Sequence, residues 1–594
     1  MSNINLNKGN NSHLSGNYDT NIIKSIKHKI SQNNLIVTKA DKGNSVVILH
    51  KDDYDEKVLT FINDNKFKLI KPKLPTFIKN VNDVLKSSTL TIPRNIIYQL
   101  SANNTVIPRM YGLLKVHKSN IFSEIPIRPV VSFSNSPTYQ LAKWLNSKLK
   151  NVINCQFHNT VSNSTQLANK IKNIDIPENA ILISLDVTNL FTNIPINEAI
   201  QIIKNKLFDS SLSDNESTEL VNVLNVCLKQ NFFMFNDKVY CQDDGLAMGS
   251  PLSPLLADAF MDMFENDHIL NNNRFHNHIT YYYRYVDDIL ILWSGSKERL
   301  TEFVDYINSI HSKIKFTLEL ENNKSLNFLD LTIRNVNNKH TFEIYRKPSH
   351  TGVIIHESSF HPHTHKLAAL NSFVNRAIDI PLNKEAREME FKIIKQIAKS
   401  HNFQTNIIDK LIQKKLLRNW ANNAYQSSTN NDITTKYFSM HFNGPISYKI
   451  QRLFSRHGIT IAFKSRNTLG NFFINNKDKL DPLLNSGVYK LVCECGCTYV
   501  GKTKRDFKTR LAEHYRCVRL NNTNSLFAKH ILETGHPTNF KTNYKILHVE
   551  SNQHLINNFE ILEILKQMKN NPHRTINSQT NFNDFKLLNI FFNF

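Results

Sequence analysis

The sequence predicts a multidomain chain of the α/β (α+β) class. Three observations carry that expectation. With 594 residues the chain can hold three or more domains, each with its own core. From residue 35 to about 440, short runs of β-branched and aromatic residues alternate with helical, charged stretches. Near the C-terminus a cysteine-bearing segment has strands and a helix of its own.

Composition narrows the class of partner. Lys plus Arg outnumber Asp plus Glu by 73 to 50, a formal charge of +23. Such an excess favours a polyanion, and nucleic acid is the commonest one. The start, Met1-Ser-Asn-Ile-Asn, is polar and no long apolar run follows, so neither a secretory signal nor a membrane span is expected and the chain reads as intracellular. Seven cysteines at this length make no disulfide framework. Four of them, Cys493, Cys495, Cys497 and Cys517, fall within 25 residues, which points to metal before disulfide.

Residues 1 to about 30 are polar and read as a loose arm. Leu35 to Leu49 reads as strand, turn, strand; Lys39 and Lys42 could touch a phosphate backbone, although a solvated turn is the more expected use. Asp52 to Leu100 is mostly helical. Pro108 to Lys118 and Ile125 to Ser132 form a basic hairpin suited to a triphosphate, with Arg as a bidentate fork and Lys as a point charge. Ala180 to Val187 is an apolar strand that delivers Asp186 at its carboxyl end, and Phe191 follows closely enough to shape the same pocket.

The loop Gln242-Asp-Asp-Gly245-Leu-Ala-Met-Gly249-Ser-Pro251 opens an apolar helix from Leu255 to Phe264. A glycine-rich loop at a helix N-terminus lets backbone approach a base pair or a phosphate. Tyr281 to Trp293 reads as two strands joined by a turn that carries Asp287 and Asp288. Two like charges there raise each other's pKa unless a cation sits beside them; an acidic turn facing water is the plain alternative. Strands at 314–319, 326–333 and 341–348 follow. His350, His356, His361, His363 and His365 lack a neighbouring cysteine, so nucleic-acid contacts or plain structure are expected there rather than zinc. Residues 366 to about 440 are helical and basic.

One aspartate at a strand end and two on a hairpin turn are what two-metal phosphoryl transfer requires, with carboxylate oxygens suiting hard cations. The order of basic hairpin, Asp186 with Phe191, Gln-x-x-Gly-x-x-Met-Gly-Ser-Pro and Tyr-Val-Asp-Asp resembles the reverse transcriptases. The resemblance implies a right-hand polymerase of fingers, palm and thumb. By position, Asp186, Val187, Asp287 and Asp288 would bind two Mg²⁺ ions. Arg128, with Lys115 or Lys118, would hold the triphosphate. Phe191 would exclude the ribose 2′-hydroxyl, and Gln242 with Gly245 would line the template and incoming nucleotide.

Downstream, Gly487-Val-Tyr489 and Tyr499-Val-Gly501 read as two strands of one small sheet, followed by a helix on which Arg510 and His514 share a face. The pattern resembles the GIY-YIG nucleases. That resemblance implies catalytic roles for Tyr489, Tyr499 and Arg510, and a Mg²⁺ on Glu560, with Glu563 as rival and Asn577 as a late member. Cys493 and Cys495 with His530 and His536 suit a tetrahedral Zn²⁺ site, and Cys497 can substitute for either thiol. The two motif sets in one chain, with Thr38-Lys-Ala-Asp-Lys-Gly43, Phe328-Leu-Asp330 and Tyr345-Arg-Lys-Pro348, look like the Penelope-like retroelements. The family implies a nucleus-acting polyprotein, made in the cytoplasm, that nicks a DNA target and primes there. It copies an RNA template with deoxynucleoside triphosphates, and a homodimer fits this picture.

Expected divisions are a polar arm (1–34), an N-terminal nucleic-acid-binding region (35–107), fingers and palm (108–345), thumb and helical region (346–440), connector (441–485) and nuclease domain (486–594). A domesticated, telomerase-like enzyme whose C-terminal domain only binds DNA is the alternative. A non-catalytic RNA-binding scaffold sits badly with all three aspartates.

Overall fold

The computed structural model describes residues 15–102, 104–153, 157, 159–271, 273–424, 436–465, 468–474, 476–478, 481–537 and 542–578. These divide between two compact units, the first from segments 1–71, 109–132 and 142–477, the second from 72–108, 133–141 and 478–594. The expectation of a mixed α/β, multidomain chain holds.

In the first unit, Ser15–Gln32 is a helix where the sequence suggests a loose arm. Ile23 and Ile30, two turns apart, are half-buried, and Lys27 lies 4.9 Å from the Phe472 ring. This narrow stripe is diluted by Asn, Ser and Lys, which hides it in the composition. Strands β1 (Leu35–Lys39) and β2 (Val46–His50) then pair antiparallel.

Strands β3 (Lys68–Ile70), β4 (Arg109–Leu114) and β5 (Ile127–Ser132) precede β6 (Ile181–Val187), and β7 (Phe232–Phe235) and β8 (Lys238–Cys241) follow it. Five of them join in the order β3-β8-β7-β4-β5, with the basic hairpin β4–β5 at one edge. Alternate residues of β4 are buried, as expected for a strand with one face on a core. That core takes Val58 and Tyr54 from the helix Lys51–Asp64, and the Tyr54 hydroxyl accepts from the Gly112 amide at 2.7 Å.

Strands β9 (Ile279–Tyr285), β10 (Asp288–Trp293) and β11 (Phe316–Leu320) join β6 in an antiparallel sheet, β11-β6-β10-β9. Both faces of β10 are covered, which explains its unbroken apolar run. Leu290 and Leu292 enter a cluster with Leu326, Leu331 and Phe342, while Trp293 stacks on Phe303 of the helix Lys297–Ile310. The sequence places one strand at 326–333, but two are present, β12 (Ser325–Phe328) and β13 (Leu331–Val336), with β14 (Lys339–Ile344) completing a meander. The break falls at Leu329, φ +55°, and the following Asp330 carboxylate is held by Arg376.

Helices His363–Asp379, Lys384–Ser400 and Asn406–Ala424 share one core around Leu370, Val374 and Ile394. Beyond them, β15 (Lys436–His441) and β16 (Ile459–Lys464) pair parallel across the helix Pro445–Ser455. This small β-α-β unit spans the expected boundary between thumb and connector.

In the second unit, β17 (Gly487–Val492), β18 (Thr498–Thr503) and β19 (Tyr544–Val549) form an antiparallel sheet in the order β18-β17-β19. One face packs on Phe507 and Leu511 of the helix Phe507–Arg519 and on Phe527 of Leu526–Thr534; the other packs on Ile556 and Ile564 of Gln553–Asn570. Among the described residues, no helix is long and apolar enough to cross a membrane.

Candidate functional site

Strand pairing assembles the aspartates. Asp288 lies directly opposite Asp186 in the β10–β6 ladder, and the Val187 amide donates to the Asp287 carbonyl at 3.0 Å. Only Asp287 sits on the turn; Asp288 is the first residue of β10, a refinement of the sequence expectation that both lie on the turn. Burial, then the neighbouring charges of Asp287 and Asp186, push the Asp288 carboxyl up to about 6. Burial and Asp287 also raise Asp186, against the pull of Lys118, Lys42 and Lys115. Crowded, half-buried carboxylates of raised pKa are the donor chemistry that a hard divalent cation suits. The Val187 side chain is buried, so its main-chain carbonyl is its one ligand group.

The turn has a support that the sequence reading missed. Val286 has φ +58°, a left-handed conformation unfavourable for a β-branched residue. Beneath it Arg284 is fully buried, donating to the Val286 carbonyl at 3.2 Å and to Asp258 at 2.9 Å, and pairing with Glu265. Tyr282 also donates to Glu265, at 3.0 Å. Burial, opposed by Arg284, holds the Glu265 carboxyl up at about 7. The available signal was strand alternation, which places Arg284 on the buried side with Tyr282.

Around the aspartates lies a cavity of about 470 Å³ lined by Lys42, His117, Lys118, Asp186, Asp288 and Lys347, among others. Of the cations expected at the triphosphate, Lys118 lines it; Arg128 instead pairs with the buried Asp41 at 2.6 Å, and Lys115 is not among the lining residues. Phe191 and the glycine loop are tied together, the Leu246 amide donating to the Phe191 carbonyl at 2.7 Å. Gln242 donates to the Asp244 carbonyl at 2.6 Å, and Asp244 takes the amides of Gly245 and Ile196, both at 2.9 Å.

In the second unit the Tyr489 hydroxyl is fully buried, 2.6 Å from His514 Nε2, and accepts from Arg510 Nε at 3.3 Å. His514 Nδ1 is 2.6 Å from Ser525 Oγ. Burial and Arg510 hold His514 down at about 4, so it is neutral. Tyr499 stacks edge-on to His514, and burial raises its hydroxyl. A Cβ at position 501 would stand 2.5 Å from the Tyr489 hydroxyl, which is why glycine ends the second triplet. Glu560 acts on both tyrosines and pairs with Lys502 at 2.8 Å. Its rival Glu563 is occupied by His548 at 3.0 Å and Lys566 at 2.6 Å. Asn577 makes two bonds to the Val500 main chain, at 3.0 and 2.7 Å, a strand-like structural role.

Cys493, Cys495, His530 and His536 bring their ligand atoms within 4.8 Å of one another, a donor set that fits tetrahedral Zn²⁺. Cys497 is not in that group; its carbonyl closes the tight turn onto the Cys493 amide at 2.8 Å. The histidines from 350 to 365 form no such group among the described residues.

Residues 117–355 match the family model for reverse transcriptase (RNA-dependent DNA polymerase). The chain therefore carries a reverse transcriptase domain, which implies an RNA template and nucleotide substrates. Residues 353–413 match the animal helix-turn-helix domain, a DNA-binding class, over the helices His363–Asp379 and Lys384–Ser400 and the start of the next. Among solved structures, telomerase from Candida albicans in complex with a TWJ fragment of telomeric RNA is similar at 11% identity and TM-score 0.44, over 70% of this chain and 71% of that one. Apo telomerase from Candida tropicalis is similar at 11% identity and TM-score 0.40, over 70% of each chain. No curated protein matches the sequence.

Proposed function

We propose that the chain is the RNA-directed DNA polymerase of a Penelope-like retroelement, whose C-terminal GIY-YIG domain nicks DNA so that the exposed end primes synthesis in the nucleus. The observation that carries the polymerase reading is Asp288 paired across from Asp186, with Asp287 on the adjoining turn, inside the span that matches reverse transcriptases. Asp186, Asp287, Asp288 and the Val187 carbonyl would hold Mg²⁺, which when bound supplies the charge that activates a primer 3′-hydroxyl and steadies pyrophosphate. Lys118 would neutralise phosphate beside them, Phe191 would exclude the ribose 2′-hydroxyl, and Arg284 holds the turn.

For the nuclease, neutral His514 would accept a hydrogen bond at Nε2 from the Tyr489 hydroxyl and orient that oxygen, while Ser525 fixes its tautomer at Nδ1. Arg510 stabilises the charge that develops at the Tyr489 oxygen. Glu560 offers the carboxylate for a Mg²⁺ that offsets phosphate charge. The full burial of Tyr489 favours a second reading, in which this domain binds DNA without cutting it.

The test is DNA-primer extension on an RNA template with Mg²⁺. Asp287→Asn should abolish it, and full activity in that variant would sink the metal assignment. Plasmid nicking by the wild type, lost in Arg510→Ala with extension intact, supports the nuclease; no nicking by the wild type supports the binding reading.

A further inference from the structure

Lys42 belongs to no fingers hairpin, and the sequence gives it a solvated turn. The turn is built into the polymerase unit on two sides. Asp41 pairs with Arg128 at 2.6 Å, and its amide donates to the Leu114 carbonyl at 2.9 Å. On the other side Gly43, at φ +82°, lies so close to the chain after β14 that a Cβ there would meet the Ser349 carbonyl at 2.3 Å; Thr351 Oγ1 donates to the Gly43 carbonyl at 2.9 Å. Neighbouring Arg346 is committed to the buried Glu390, a 2.7 Å bond among its contacts, which leaves Lys347 as the cation of that segment facing the cavity. Two segments some three hundred residues apart thus bring Lys42 and Lys347 onto the wall of one cavity, the one that holds Asp186 and Asp288, where the Lys347 charge acts on Lys42.

Two ammonium groups facing one cavity repel unless an anion lies between them. Asp41, the carboxylate next to Lys42, gives Oδ1 to Arg128 and keeps Oδ2 buried without a hydrogen-bond partner, so neither oxygen is shown bridging the two lysines. We infer that Lys42 and Lys347 form a clamp for a phosphate group of a bound substrate beside the aspartates. The inference rests on the polymerase reading, and two phosphates qualify: the nucleotide's triphosphate and a phosphodiester of the primer strand.

Equilibrium binding separates them without chemistry. Full-length wild type, Lys42→Ala/Lys347→Ala and the double arginine variant are titrated, in Mg²⁺, with a dideoxy-terminated primer on an RNA template. The incoming nucleotide is then titrated into each complex. Lys297→Ala, an exposed charge change on a distant helix, is the control, and melting temperatures check folding. A rise of about tenfold or more in the nucleotide Kd assigns the triphosphate. A comparable rise in the primer–template Kd, with a salt dependence of log K shallower by about 1, assigns the primer phosphate. Recovery in the arginine variant supports either assignment. Both constants within twofold of wild type in a folded double-alanine variant overturn the clamp. Absent extension by the wild type would instead count against the polymerase reading, leaving the binding result to stand alone.

Discussion

Replacing Arg284 with methionine tests whether the catalytic turn is held from beneath. The change keeps an unbranched, apolar stem while removing the guanidinium with its ion pairs to Asp258 and Glu265 and its bond to the Val286 carbonyl. Breaking a buried ion pair by deleting one partner costs about 3–5 kcal/mol, because the other charge is left uncompensated. Glu265 has a folded pKa near 7, above its unfolded value, so its favourable, protonated form is complete at low pH and is lost as pH rises through 7. The deficit of the variant should therefore be smaller at pH 5 than at pH 8, where Glu265 must carry a buried charge alone.

The same substitution acts on catalysis. Val286 at φ +58° costs about 1–2 kcal/mol of backbone strain, and a hydrogen bond from a charged donor contributes about 1.5–3 kcal/mol. Losing that bond leaves the strain unopposed and should depopulate the competent turn by about tenfold or more. Urea unfolding followed by Trp293, buried on β10, measures the first effect; extension kcat at saturating primer, well below the melting range, measures the second. Adding Glu265→Gln should restore part of the stability and little of the rate. An unchanged kcat in a folded Arg284→Met protein would refute the positioning role.

The raised Asp288 carboxyl, near 6, also has a folded pKa above the unfolded one. In EDTA its contribution to stability should be present in acid and disappear as pH rises through 6, and Asp288→Asn should flatten that trend in a melting series. Since Mg²⁺ must displace the proton, apparent Mg²⁺ affinity should fall by up to tenfold per pH unit below about 6; a flat profile argues against Asp288 as ligand. Cys493→Ser should cost the C-terminal domain bound zinc, read by metal analysis of the purified protein, while extension persists; full zinc content would remove Cys493 from the ligand set. Gly501→Ala should displace the Tyr489 hydroxyl and reduce plasmid nicking at least tenfold; undiminished nicking would show that this hydroxyl is not needed.

Much of the polymerase was legible in the residues because its chemistry is local. Asp186 ends an apolar strand and Tyr-Val-Asp-Asp interrupts another, so period and charge, read with the order of motifs that resembles the reverse transcriptases, point to a carboxylate site. The same holds for the paired tyrosine triplets and the Cys/His set, where spacing and residue type already restrict the geometry. The helix at Ser15–Gln32 was not legible, since among its described side chains the half-buried stripe is Ile23 and Ile30 within a polar run.

By itself the sequence nominated the residues for the work: three aspartates whose chemistry suits hard cations, two thiols with two imidazoles whose chemistry suits zinc, and an excess of basic residues that suits a polyanion. Only the tertiary structure decided which of them meet. Strand register set Asp288 against Asp186, buried Arg284 under the turn, and brought Arg128 against Asp41. The separation between Glu560 and Glu563, three residues apart on one helix, likewise came from the partners each finds in space. Lys42 and Lys347 share a wall only because the chain returns there after some three hundred residues. Residue chemistry is a property of each position, whereas proximity is a property of the packed core that brings distant positions together.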